Sequence, residues 1–267
     1  MSVSFIRRLA FATVVVLTSL MAAISTSAIA GRVSPMIVDM EPTGRGAIGR
    51  VELTNDADRD IAYEAQIMRG DISPTGELDL TPADDDFLVF PPQAVVEANS
   101  QQVFRVQYLA DKPLDRSQIY YLAIRQVPVE FDPGVNQVQV VINYNVLINV
   151  VPPGTTPDPV VRQARYVERP ISIQGLAEDE IPAVIPNEKG VLVDLGNDGS
   201  RYFFASEAKW TISGQTVTGA PLELRLEGKD LSKRTGVGVV APGKTREFFF
   251  PTDEAIVPET LKVTVEL

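Results

Sequence analysis

One stretch of the sequence, residues 134–151, alternates so regularly that it restricts the chain to a β architecture. From position 138 onward, apolar side chains occupy every second position, and mostly polar side chains lie between them. The apolar positions are Val138, Val140, Ile142, Tyr144, Val146, Ile148 and Val150. A period of two built from β-branched and aromatic residues predicts a strand.

The predicted strand is too long for one ordinary sandwich to cover. Residues 138–151 would span roughly 45 Å at ~3.3 Å per residue, more than twice the usual strand of about 5–6 residues. Residues 119–127 are its natural antiparallel partner, but Pro128 and Pro133 remove two backbone donors where that pairing would continue. Residues 134–153 contain no charge that would discourage pairing with another chain. The first half of this strand is therefore expected to have an open edge, which is either covered internally or used to pair with a second chain.

The N-terminus has the pattern of a secretory signal peptide, residues 1–30. Arg7 and Arg8 precede the apolar run 9–24, and Ala28-Ile29-Ala30 supplies an A-x-A cleavage site. A membrane anchor is the alternative because the apolar run is long, but no basic stop-transfer segment follows it. Since no second long apolar run occurs, we expect a soluble mature protein without stable membrane insertion.

Charge and composition exclude several kinds of partner and chemistry. Loss of Arg7 and Arg8 with the signal peptide changes the net charge from −11 to −13, because that segment contains no acid. Such acidity argues against nucleic acids and anionic membranes as partners. The absence of Cys excludes disulfides, and the absence of His removes the usual general base and most zinc sites.

The rest of the chain predicts an all-β protein with two immunoglobulin-like β-sandwich domains. Short alternating segments separated by turn residues fill both halves, and the proline-rich residues 152–159 form a linker between domains 31–151 and 160–267. Residues 33–40 predict a first edge strand that contains Pro35. Asn197-Asp198-Gly199 predicts a β-hairpin in the second domain.

The catalytic inventory is thin, so we do not expect an enzyme, a cofactor or a metal. Asp84-Asp85-Asp86 could be a calcium loop, but it lacks the ligand spacing and internal glycine of such loops, which favours a solvated turn. A glycoside-cleaving enzyme would need two carboxylates facing one cleft. Acidic runs such as residues 178–180 lie instead in polar turn stretches.

Besides the long alternating strand, the chain contains, in order, VELTN, FLVFPPQAVVEANSQQVFRVQY, QIYYLAIRQVPVE and, in the second half, VAPGKTREFFF. In this order the segments resemble the periplasmic pilus chaperones of the chaperone–usher pathway, the PapD-like family. The resemblance implies two domains set at an angle, in the periplasm, with pilus or fimbrial subunits and an outer-membrane usher as partners. It also implies a possible self-capping dimer.

The resemblance further implies that the long strand is donated to a subunit that lacks its own last strand. The implied donor residues are Val138, Val140, Ile142, Tyr144 and Val146. Many members of the family hold the subunit's terminal carboxylate with an Arg on the first strand and a Lys late in the donor strand. Here Leu147 occupies the Lys position and Arg32 is the nearest cation to the Arg position, which resembles a divergent, alternative branch.

A second hypothesis makes the protein a structural or adhesive component of a surface fibre. A self-polymerising pilin is expected to carry its donor segment as an N-terminal extension. Here the alternating strand lies inside the first domain, next to the linker, which favours the chaperone.

Overall fold

The computed structural model describes residues 31–109, 113–128, 141–171, 182 and 184–267, which form two immunoglobulin-like β domains. The predicted fold class is therefore confirmed. The strands of the first domain are β1 (Arg32–Ser34), β2 (Ile37–Met40), β3 (Ile48–Asn55), β4 (Ile61–Ile72), β5 (Leu78–Pro82), β6 (Phe87–Phe90), β7 (Gln93–Val96), β8 (Ser100–Tyr108), β9 (Gln118–Gln126) and β10 (Asn143–Val150). The predicted signal peptide lies outside the described residues.

The second domain contains eight strands and one helix among its described residues. They are β11 (Pro159–Pro170), β12 (Asn187–Asn197), β13 (Phe203–Phe204), β14 (Lys209–Gln215), β15 (Pro221–Leu226), the helix α1 (Gly228–Thr235), β16 (Val239–Val240), β17 (Thr245–Pro251) and β18 (Lys262–Glu266). No helix in the described part of the chain is long and apolar enough to cross a membrane.

The first domain packs a sheet of order β1-β3-β8-β6 against a sheet of order β2-β10-β9-β4-β5, with β7 also paired to β4. Alternate residues of each strand point into the core between the sheets. On β10 these are the even positions Val146, Ile148 and Val150, which are all fully buried. The alternation predicted from the sequence thus continues into the first domain's own core.

The prediction of one edge strand over residues 33–40 is wrong, because Pro35 divides this segment between the two sheets. β1 pairs antiparallel with β3, whereas β2 pairs parallel with β10. Pro35 has no N–H to donate, so the ladder is interrupted there and the chain crosses to the other sheet.

The second domain packs β11-β12-β17 against β15-β14-β18, with β13 and β16 as a short ribbon. The predicted hairpin at Asn197-Asp198-Gly199 is wrong, although the chain does turn there. Because β12 is already paired with β11 on one side and β17 on the other, the strand after the turn cannot pair with it. That strand, β13, pairs with β16 instead.

A third apolar cluster lies where the two domains meet. The first domain contributes Ile119, Tyr121 and Leu147, and the second contributes Tyr202, Phe204 and Val239. Backbone hydrogen bonds also join the domains, from Ser117 N–H to the Ser200 carbonyl and from Glu247 N–H to the Pro74 carbonyl. The start of β9 and the neighbouring part of β10 therefore pack against the second domain. The predicted domain boundaries remain predictions.

Asn55, at the end of β3, is a buried polar residue on which the first sandwich depends. Its side-chain amide donates to the carbonyls of Arg59, Val96 and Glu97, and its Oδ1 accepts from Ala57 N–H. These bonds satisfy backbone groups that β3 and the β7–β8 turn would otherwise bury unpaired.

We predict that Asn55→Ala lowers the free energy of unfolding by about 2–4 kcal/mol, because it leaves buried backbone carbonyls unsatisfied. Urea denaturation of the purified protein measures the change. Asn145→Ala, at an exposed position on β10, is the matched control and should change stability by less than about 0.5 kcal/mol. Equal losses in the two variants would contradict this role of Asn55.

Candidate functional site

The candidate site is one side of β10, where the strand is only partly paired. β9 pairs antiparallel with β10 along its whole length, Asn143–Val150. On the other side, β2 pairs only with the last four residues, from Leu147 to Val150. No strand among the described residues pairs with residues 143–146 on that side. We call this unpaired side of residues 143–146 the open edge.

The register of β2 shows which backbone groups point towards the open edge. Leu147 and Val151 donate their N–H groups towards β2, to the carbonyls of Met36 at 3.0 Å and Met40 at 2.7 Å. Successive residues of a strand direct their backbone groups to opposite sides. The N–H and C=O groups of Asn143 and Asn145 therefore point to the same side as those of Leu147, where they meet no described strand.

Apolar side chains lie at both ends of the open edge. Met36 and Ile37, where β2 begins, are 46% and 40% exposed, and Val141, just before β10, is 39% exposed. Asn143 and Asn145 are exposed on the polar face of the strand. The described part of the edge carries no charged side chain, so its surroundings favour pairing with another apolar strand.

The structure divides the predicted donor residues into three groups. Val138 and Val140 lie outside the described residues. Ile142 and Tyr144 are half-buried, and Val146 is fully buried in the first domain's own core. A side chain that already fills its own core is unavailable to a partner.

Tyr144 is attached to its own domain through its hydroxyl group. The hydroxyl donates to the Gly31 carbonyl at the start of the described chain. Burial raises the pKa of Tyr144, and the nearby Asp56 carboxylate raises it further. Tyr144 therefore lies between the fully buried part of β10, which begins at Val146, and the residues that precede the strand.

The two positions considered for a carboxylate anchor are not neighbours. Leu147 is buried in the cluster between the domains, and the residue opposite it on β2 is Ile37. Arg32 lies on β1 in the other sheet, opposite Thr54. The chain crossing at Pro35 thus separates Arg32 from Leu147.

A carboxylate that the sequence analysis missed connects β2, β10 and the second domain. Asp39 of β2 accepts hydrogen bonds from Asn149 Nδ2 at 3.0 Å, from Arg201 Nη2 at 3.1 Å and from the Tyr202 hydroxyl. Burial, followed by the effect of Asp39, raises the pKa of Tyr202. The only sequence signal was Asn149, a polar residue within an apolar run.

The acidic stretch at residues 84–86 has a structural use. Asp86 accepts hydrogen bonds from Arg69 and from the Tyr120 hydroxyl, and Asp84 accepts one from Gln66. Among the residues that the structure describes, no group of three or more acidic side chains is arranged to hold a metal ion.

Comparison with protein families assigns the first domain. Residues 43–156 match the family of pili and flagellar-assembly chaperones, PapD N-terminal domain. The matched segment contains β10 and its open edge. No curated protein matches the sequence.

Solved structures extend the similarity to both domains. The class 5 fimbriae chaperone CfaA is 12% identical, with a TM-score of 0.50 over 89% of this chain and 99% of CfaA. A chain from the chaperone–tip adhesin complex of CFA/I fimbriae is 11% identical, with the same TM-score and coverage. A chain of the Salmonella enterica SafA pilin–SafB chaperone complex is 18% identical over 90% of this chain and 98% of that chain, with a TM-score of 0.48.

The two kinds of comparison agree with the architecture. The family match covers the domain with the open edge, and the fold of the CfaA chaperone covers nearly all of the described chain. Residues 43–156 therefore belong to the family of pili and flagellar-assembly chaperones, PapD N-terminal domain.

Proposed function

We propose that this protein is a periplasmic chaperone that stabilises pilus subunits by pairing the open edge of β10 with a strand of the subunit. The observation that carries the proposal is the unequal pairing of β10, which has β9 along one side and β2 along only half of the other. An added strand would satisfy the backbone groups that β2 leaves free at Asn143 and Asn145.

Side chains that precede the buried part of β10 would supply the apolar contacts. The donor set that we propose is Val138, Val140 and Ile142, since these continue the inward alternation beyond the first domain's core. Each such side chain contributes ~1.5–3 kcal/mol when it is fully buried, before ordering costs. We leave Val146 out of this set because its own domain already buries it, and Tyr144 because Gly31 holds its hydroxyl.

The anchoring of β10 makes it suited to this role. Ile148 and Val150 fill the core, and Asn149 is hydrogen-bonded to Asp39. The part of β10 that directly follows the open edge is therefore fixed. A strand that is already extended and fixed loses little conformational entropy when a partner pairs with it. The geometry thus supports templating of an incomplete sandwich.

The remaining parts of the proposal concern delivery and location. We propose that the bound subunit is passed to an outer-membrane usher, that residues 1–30 direct export to the periplasm, and that the protein does not act as an enzyme. The free chaperone could cap its open edge with a second copy. Arg32 and Leu147 lie in different sheets. We therefore do not assign binding of the subunit's terminal carboxylate to these two residues.

The fibre-component hypothesis is less well supported. The family match favours a chaperone, and the alternating strand lies within the first domain's sheet.

We predict that Ile142→Asp lowers affinity for the subunit roughly a hundredfold, because a carboxylate would enter the apolar groove of the subunit's incomplete sandwich. The measurement is co-purification after co-expression with exported β proteins encoded beside this gene. Val103→Asp, at a 43%-exposed apolar position on β8, is the matched control and should leave recovery unchanged. Full subunit recovery with folded Ile142→Asp would count against strand donation.

A second substitution tests the backbone contribution separately. Asn145→Pro removes an N–H that points to the open edge, where proline is tolerated in a folded edge strand. We expect a folded protein, by circular dichroism, that no longer recovers the subunit. Tyr144→Pro removes an N–H directed towards β9 and should instead destabilise the first domain. Normal subunit binding by Asn145→Pro would show that this edge is not used.

A further inference from the structure

A cavity with three arginine side chains opens beside the junction of the two domains. Its volume is about 330 Å³, and its lining includes Arg169, Arg234, Arg246 and Phe249 of the second domain and Thr75 of the first. Such a concentration of guanidinium groups is unexpected in a chain with a net charge of −11. The cavity therefore has a local charge opposite to that of the whole protein.

Acidic side chains neutralise these arginines only in part. Arg169 pairs with Glu188 at 2.9 Å and stacks on Phe249, with its guanidinium carbon 3.8 Å from the ring centre. Glu247 also lines the cavity, but its carboxylate pairs with Arg165 at 3.3 Å. Within the described ranges, neither Arg234 nor Arg246 forms an ion pair.

Arg246 is the least compensated of the three. Its Nη1 donates to the Val239 carbonyl at 2.9 Å, but its Nε is buried and has no hydrogen-bond partner. Burial lowers the pKa of the Arg246 guanidinium, and Tyr121 opposes this change. A partly buried cation without a carboxylate partner costs free energy that a bound anion would offset.

The first domain approaches this arginine closely. The β4–β5 turn places Gly76 at a φ of 97°, and a Cβ there would lie 2.8 Å from Arg246 Nη2. The positive φ favours glycine at this position, and a Cβ there would force the guanidinium to shift. The same turn accepts the Glu247 N–H through the Pro74 carbonyl at 2.7 Å. An anion bound beside Arg246 would therefore contact both domains.

We propose that this cavity is an oxyanion site, which takes a carboxylate or phosphate group between Arg234, Arg246 and Arg169. Arginine presents a planar fork of donors that matches the oxygens of either group. The ligand source is an acidic segment of a protein partner or a free phosphate. Bound there, the oxyanion strengthens the contact between the β4–β5 turn and the second domain.

The site is separate from the open edge. In the sheet order β2-β10-β9-β4-β5, the β4–β5 hairpin that borders the cavity lies two to three strand spacings from β10, about 10–14 Å. A subunit strand paired with β10 would leave the cavity free. A negative result for anion binding would consequently leave the proposed chaperone function unaffected. A negative result for subunit binding would likewise leave the proposed anion site unaffected.

The test measures binding of inorganic phosphate to the purified protein by isothermal titration calorimetry and by thermal unfolding. Sodium chloride at matched ionic strength is the solvent control. Arg234→Gln removes an exposed guanidinium at the end of α1, so the fold should survive. Arg225→Gln, at an exposed arginine paired with Glu223 on β15, is the matched control. Arg246→Gln serves as a second variant inside the cavity.

We expect saturable binding of phosphate that raises the melting temperature more than chloride does. Arg234→Gln should weaken binding about tenfold, as expected for the loss of one charge-assisted contact, and Arg225→Gln should leave it unchanged. Arg246→Gln should abolish it. A stabilisation no greater than that by chloride, or equal binding by Arg234→Gln and Arg225→Gln, would overturn the proposal.

A short Asp-rich and Glu-rich peptide identifies the source of the ligand. Competition of this peptide with phosphate supports the site and indicates a carboxylate from a protein partner. Phosphate binding without competition supports the site and indicates a phosphate ligand. Absence of phosphate binding contradicts the proposal, whether or not the peptide binds.

Discussion

The pairing of β10 with two neighbours of unequal length is the constraint on which the rest of the molecule depends. β9 satisfies one side of the strand throughout, whereas β2 satisfies the other side only from Leu147 onward. The reason lies in Pro35, which ends the ladder and sends the preceding residues to the opposite sheet. Four residues earlier on β10, the backbone groups of Asn143 point to the side that β2 does not reach. A sheet edge left in this state favours strand addition.

The same strand is held rigidly where it is paired. Val146, Ile148 and Val150 fill the first core, Leu147 packs in the cluster between the domains, and Asn149 is bonded to Asp39. Asp39 in turn binds Arg201 and Tyr202 of the second domain. The second domain is thus coupled to the strand that carries the open edge.

Much of this architecture follows from the sequence, because alternation is a local signal. The period of two at residues 138–151 predicted the strand Asn143–Val150 and its inward face, whereas Val141 and Ile142 precede the strand and residues 138–140 lie outside the described residues. The division of residues 33–40 between two sheets could not be predicted, since Pro35 is compatible with an edge strand or a crossing. The turn at Asn197 was recognised but its pairing was not, because β12 already had two neighbours. Asp39 was missed because its partners are distant in sequence and follow no motif.

Amide hydrogen exchange at Asn143 and Asn145 tests the central claim most directly. The account predicts fast exchange of both N–H groups in the free monomer, while the N–H of Leu147, bonded to Met36, exchanges slowly. On addition of a subunit, the N–H groups of Asn143 and Asn145 should become as protected as that of Leu147. Strong protection of both groups in the free monomer, or unchanged fast exchange in a subunit complex, would contradict the proposal that this edge is open and used for strand pairing.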